Sequence, residues 1–282
     1  MIGTSDQVEG SRWRSESWLR GVCLVMAITS IVPALLALSY LWSNSDLMGY
    51  GYLIPASALG LAWLRRDEVT RALREAEPPR AGAAWVLGAA LVESVGLLAD
   101  VGSLAGLGIP LLLGATAYAV GGARLARALT LPIGFLVFMI PPPSFLVDPL
   151  LEHLKSLVTL ASVGVIRLTG VSVAAQGNRI FIPGHELFVA NACAGLNSIV
   201  TLLPLGVVVA TFLVNGAWRR AALLASVVPL AMFGNIVRVS LTAVLVSRFG
   251  AEWAVGSLHE SFGAATFALG TVALLGVARV LK

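Results

Sequence analysis

Apolar residues in this 282-residue chain come in long runs, and the polar positions between them are short and rich in arginine. A bilayer crossing takes about 20 predominantly apolar residues. That length predicts eight helical spans, at roughly 18–42, 47–64, 82–99, 101–121, 129–147, 195–214, 221–247 and 260–281.

The connecting segments test this division. Arg12, Arg14 and Arg20 precede the first run, and the segment 65–80 carries five arginines. Arg124 and Arg127 follow the fourth run, Arg219 and Arg220 the sixth, and Arg279 and Lys282 the last. Positive loops favour the cytoplasmic face. With eight spans and both termini cytoplasmic, all five clusters fall on that side. The first run is long enough to span and carries no small-residue cleavage site, so it reads as a retained helix and not a signal peptide.

Residues 148–170 stand apart. Their period is helical, but Asp148, Glu152, His153, Lys155 and Arg167 interrupt the apolar face. A crossing here would turn every later arginine cluster outward. The segment is therefore expected as an interfacial or re-entrant helix on the outer face. Gly177-Asn178 and Pro183-Gly184 then signal turns among β-prone residues, predicting a small β-hairpin or two short strands. Residues 148–192 would form an extracytoplasmic cap.

Composition narrows the class. Hydrophobic residues make up 57% of the chain and charged residues 12%, with a mean hydropathy of +0.88. Soluble domains are nearer 45–50% and about 25%. The expectation is an all-α polytopic membrane protein forming a single membrane domain over 1–282, since no polar stretch is long enough for a soluble one. The net charge of +4 belongs to the loops and gives no nucleic-acid footprint. Cys23 and Cys193 allow at most one bridge, and the topology sets them near opposite faces. No cofactor motif is present, and Cys193 and His259 lack the spacing of a metal-ligand pair.

Three residues carry candidate chemistry. Cys193 lies in "NACAGLNS" with Asn191 before it and Gly195 after it, where the sixth span begins on its outer side. Helix N-termini stabilise thiolates, and the small neighbours leave room for a substrate backbone; equally, a small buried cysteine is often only packing. Arg238 lies inside the seventh span, 18 residues beyond Arg220, or about 27 Å along the helix at 1.5 Å per residue. That depth matches Cys193, and Asn235 shares its helix face. An intramembrane arginine faces a polar partner or snorkels to headgroups. His259 begins the last span at the same level, as acid or base or as a headgroup contact. His153 and His185 compete with it, and Glu260 is adjacent to it without facing it.

Thiol, guanidinium and imidazole converging at the outer ends of three spans suit acyl transfer. A small transporter or channel is the alternative, with Glu93 of the third span and Arg238 as pathway charges. The polar residues collect at one face instead of tracing a path across the bilayer, which favours the enzyme.

The strings "NACAGLNS", "PLAMFGNIVRVS" and "LHESFG", preceded by "FLVFMIPPPSF", resemble the exosortase/archaeosortase family over roughly residues 130–265. The resemblance implies a membrane-embedded, sortase-like cysteine transpeptidase of the prokaryotic plasma (inner) membrane, with its catalytic core over 129–270 facing outward. Its implied partners are surface proteins ending in a PEP-CTERM-like sorting signal: a Pro-Glu-Pro-type motif, a transmembrane helix and a basic tail. It implies Cys193 as nucleophile, Arg238 as transition-state stabiliser and His259 as acid/base, with Asn235, Asn191 and Gly195 supporting. Many members have serine where this chain has Ala194, which leaves subtype and recognised signal open. A cap that binds the motif as an added strand would suit such a substrate.

Overall fold

Helix dominates the computed structural model, which describes the backbone of residues 5–45, 47–77, 79, 81–254 and 256–282. The side chains of 5–20, 22–24, 26, 192, 254 and 256–260 lie outside the described residues, and with them Arg12, Arg14, Arg20, Cys23, His259 and Glu260. The chain packs as two units, Met1–Pro142 and Pro143–Lys282, which meet in sequence within the run Pro141-Pro142-Pro143.

The first unit contains α1 (Ser5–Asn44), α2 (Leu53–Leu64), α3 (Arg66–Arg74), α4 (Gly82–Leu98) and α5 (Gly102–Phe135). Between α4 and α5 runs a seam of small residues. Gly82 faces Ala119, Gly96 faces Ala105, and Gly108 faces Glu93 so closely that no side chain fits. Such contacts let helix backbones approach in lipid, where no hydrophobic force joins helices. Glu93 itself is fully buried and accepts a hydrogen bond from Ser30 of α1.

α5 contains a break at Gly122 (φ 66°, ψ −162°), after which the chain doubles back. Ser103 donates to the carbonyl of Pro141 at 2.6 Å. Ile109 and Leu113 before the break line the same 340 Å³ apolar cavity as Leu129, Pro132 and Ile133 after it. The tip of this reversal meets the arginine-rich segment, where Arg124 pairs with Glu75 at 3.1 Å. Two clusters expected on one face thus touch within this unit.

The second unit contains α6 (Ser144–Leu168), strands β1 (Ala174–Gln176), β2 (Arg179–Ile182) and β3 (His185–Phe188), then α7 (Leu196–Leu213), α8 (Ala217–Phe249) and α9 (Gly256–Val280). α8 is central and packs against α6, α7 and α9. Its first half shares a core with α7 and α9 through Leu202, Val209, Leu223, Val227 and Leu274. Its second half, with Val239, Ala243 and Val246, packs on Val158 and Ile166 of α6 and on Ile180 and Ile182 of β2. At the opposite end, Arg219 donates to the carbonyl of Lys282 at 2.7 Å, so the last two basic clusters also meet.

The observed elements divide the chain more finely than the apolar runs do. Among the described residues, six helices are long and apolar enough to cross a membrane, with α5 counted once although the reversal at Gly122 divides it into two arms, where the sequence reading has eight spans. The stretch 47–64 divides into a 3-10 turn and the 12-residue α2, and 82–99 becomes the 17-residue α4. At 1.5 Å per residue, α2 is only about 18 Å long against a hydrocarbon core of about 30 Å. α6 is among the six, although its charges placed 148–170 at the interface. Within it Lys155 is buried and bonds Glu152 at 2.7 Å. Finally, the cap holds a three-stranded antiparallel sheet of order β1-β2-β3, one strand more than a hairpin. Both turn signals hold, with Gly177 at φ 60° and Gly184 at φ 76°.

Candidate active site

Cys193 ends a short 3-10 turn, Asn191–Cys193, that joins the sheet to α7. The turn is closed by its own amides: Cys193 N–H donates to Ala190 O at 2.9 Å and Ala194 N–H to Asn191 O at 3.2 Å. Gly195 follows at φ 91°, the left-handed conformation that glycine adopts without strain. It redirects the chain into α7, whose first residue is Leu196. Asn191 is exposed, whereas Cys193, Ala194 and Gly195 are buried.

Cys193 therefore stands two residues before the N-cap Gly195, just ahead of the first turn of α7. Only 7% exposed, it packs among Val158, Ile180, Ile182 and Val189. Burial pushes its thiol above the ordinary cysteine range, and the Arg238 guanidinium pulls it partly back.

Arg238 reaches the same place from α8. It lines a cavity of about 70 Å³ together with Cys193, Val239, Thr242, Leu187 and Phe188 of β3, and Val189 just beyond that strand. On another side its guanidinium rests against α9: a methyl group on Gly263 would lie 3.1 Å from Arg238 Cζ. Gly263 follows position 259 by one helical turn, so the two share a face of α9. The ring of His259 itself lies outside the described residues.

Asn235, one turn before Arg238 and 2% exposed, donates to Ser198 Oγ at 3.1 Å and to Ala231 O at 2.8 Å. Its amide also lies 3.5 Å from where a Gly195 side chain would begin. It thereby fastens the first turn of α7, and the cysteine segment ahead of it, to the helix that carries Arg238.

The competing histidines are elsewhere. His153 bonds Pro149 O of its own helix at 2.6 Å, and neither it nor His185 lines the Cys193 cavity. Arg248 lies exposed in the last turn of α8. Among the described residues no cluster of three His, Cys, Asp or Glu side chains is placed to hold a metal.

Sequence reading missed Ser198, Thr242 and Gly263. Ser198 was in plain view in the cysteine string. Thr242, with its buried hydroxyl lining the cavity, follows Arg238 by four residues, a helical spacing that could have drawn attention to it.

A polytopic membrane protein with a cysteine and an arginine brought to one cavity is the class that fold and site define. The family model described as transmembrane exosortase matches residues 42–276, and the chain belongs to that family. The match reaches well into the first unit, beyond the 130–265 over which the sequence motifs carry the resemblance. Family membership implies a cysteine-type membrane transpeptidase acting on sorting signals. No curated protein and no solved structure matches the chain.

Proposed function

We propose that the protein is a cysteine transpeptidase that cleaves the C-terminal sorting signal of exported surface proteins, with Cys193 as nucleophile, Arg238 as oxyanion stabiliser and His259 as acid/base. The observation that carries this reading is the shared cavity of Cys193 and Arg238, with position 259 one turn from the glycine on which Arg238 rests.

In this mechanism Cys193 Sγ adds to the scissile carbonyl carbon as its proton passes to His259. The developing oxyanion is held by Arg238. The C–N bond breaks, the departing amine takes the proton from His259, and a thioacyl intermediate remains on Cys193. An acceptor amine or other nucleophile, or water, then attacks the thioacyl carbon and regenerates the thiol.

The substrate is a protein ending in a PEP-CTERM-like motif, an apolar helix and a basic tail. Its helix enters from the bilayer, and the basic end stays on the cytoplasmic side. This places the catalytic core, 129–270, with its cap 148–192 outward, both termini cytoplasmic and the enzyme in a prokaryotic inner membrane. The transporter alternative needs Glu93 on a pathway, whereas Glu93 is fully buried, closed in by Gly108 and bonded to Ser30.

The test is processing of a co-expressed reporter bearing such a tail. Cys193→Ala should abolish it, and undiminished processing by that variant would sink the reading.

A further inference from the structure

We infer that the outer edge of β3, at Glu186 and Phe188, binds the substrate's main chain as an added antiparallel or parallel strand beside Cys193. The inference rests on the proposed function and specifies how that site holds its peptide.

The edge follows from the register. Ile182 pairs with His185 across the two-residue turn Pro183-Gly184. A two-residue hairpin makes that pair a hydrogen-bonded one, and bonded pairs then alternate along the ladder. Ile180↔Leu187 is the next bonded pair, and the bond from Val189 N–H to Asn178 O continues the series. His185, Leu187 and Val189 therefore direct their amides and carbonyls into the sheet. Glu186 and Phe188 direct theirs outward. By the same count β1, on the far side of β2, turns outward only at Ala175.

The two edges differ in what they adjoin. β3 runs into the cavity: Leu187, Phe188 and Val189 line it together with Cys193 and Arg238. The β1 strand contributes nothing to that lining. A chain added along Glu186 and Phe188 thus continues into the space beside the thiol. Phe188, 61% exposed at the cavity rim, offers an apolar contact to it. Main-chain pairing with alternate side chains in pockets is a recurring way to bind extended peptides, and an exposed edge offers that pairing ready-made.

The test uses the full-length protein in membranes with a reporter that the wild-type chain processes. Glu186→Pro deletes one outward N–H and spares the β2–β3 ladder, because position 186 donates nothing to β2. Processing is expected to fall about tenfold, and well below that of Glu186→Ala, which keeps the amide. Ala175→Pro deletes the equivalent amide on the other edge and should process at the wild-type rate. Wild-type processing by Glu186→Pro, or an equal loss in Ala175→Pro, overturns the proposal. A second measurement does not depend on turnover. In a Cys193→Ala background, Glu186→Cys should form an oxidant-driven disulfide with a cysteine placed near the reporter's scissile bond, and Ala175→Cys should not; the reverse pattern also overturns it. Processing that survives Cys193→Ala removes the catalytic reading, whereas processing that survives Glu186→Pro removes only the edge.

Discussion

The guanidinium of Arg238 lies flat enough against Gly263 that a methyl group there would stand 3.1–3.2 Å from Cζ and both terminal nitrogens. α9 therefore fixes the arginine by having no side chain at that point. Gly263→Ala should displace the guanidinium by a few tenths of an ångström and lower processing by about tenfold. Arg238→Ala should cost about 10²–10³. Alanine favours helix over glycine by about 0.5–1 kcal/mol, so thermal stability in detergent should hold or rise while activity falls. A Gly263→Ala enzyme of full activity would show that this contact does not position Arg238.

Asn235 makes a second prediction. Its amide ties Ser198 to α8 from a buried position. Asn235→Ala removes the tie and leaves the Ser198 hydroxyl and the Ala231 carbonyl without this donor, a loss of about 1–3 kcal/mol. Both melting temperature and processing should drop. Ser198→Ala should cost less stability, because Asn235 retains its bond to Ala231. Equal losses in the two variants would contradict this account.

The thiol itself sets the pH dependence. Burial raises the Cys193 pKa and Arg238 lowers it, so thiolate accumulates only as pH rises past the usual cysteine value of about 8.5. Alkylation of Cys193 by iodoacetamide should accelerate with pH with a midpoint above that value. Arg238→Ala removes the favourable charge, so its midpoint should lie higher still. A midpoint below the ordinary value would mean that another cation, such as His259, holds the thiolate at rest.

In the first unit the reversal at Gly122 can be tested apart from catalysis. Its backbone lies in a region open almost only to glycine, and the carbonyl of Glu77 occupies the space a side chain would need. Gly122→Ala should cost at least about 1–3 kcal/mol, read as a lowered unfolding temperature in detergent. Gly134, helical with open space around it, is the control and should tolerate alanine.

The candidate site was legible because its residues are rare in such a chain. The side chain of His259 lies outside the described residues. One thiol in a polar string and one arginine deep in an apolar run are conspicuous against lipid-facing leucines, and these two line one cavity. Their partners were not. Gly263 acts through an absent side chain, and Ser198 and Thr242 resemble the hydroxyl residues scattered through other membrane helices. Hydropathy located the apolar runs but not their lengths as helices: nothing in 47–64 announces that a 3-10 turn takes its start. In α6, Lys155 and Glu152 pair across one turn, a neutralisation that counting charges does not register.

The tight turn before α7 has one more chemical meaning. Acyl-transfer sites commonly point backbone amides at the oxyanion, often including that of the nucleophile itself. Here the amides of Cys193 and its successor Ala194 are already committed to Ala190 and Asn191. In the proposed mechanism these two amides are therefore withheld from the oxyanion, and its charge falls to the cation from a neighbouring helix. On that account a neutral isostere at position 238 should fail even where it fits, and an exogenous guanidinium supplied to an emptied cavity should restore part of the lost rate.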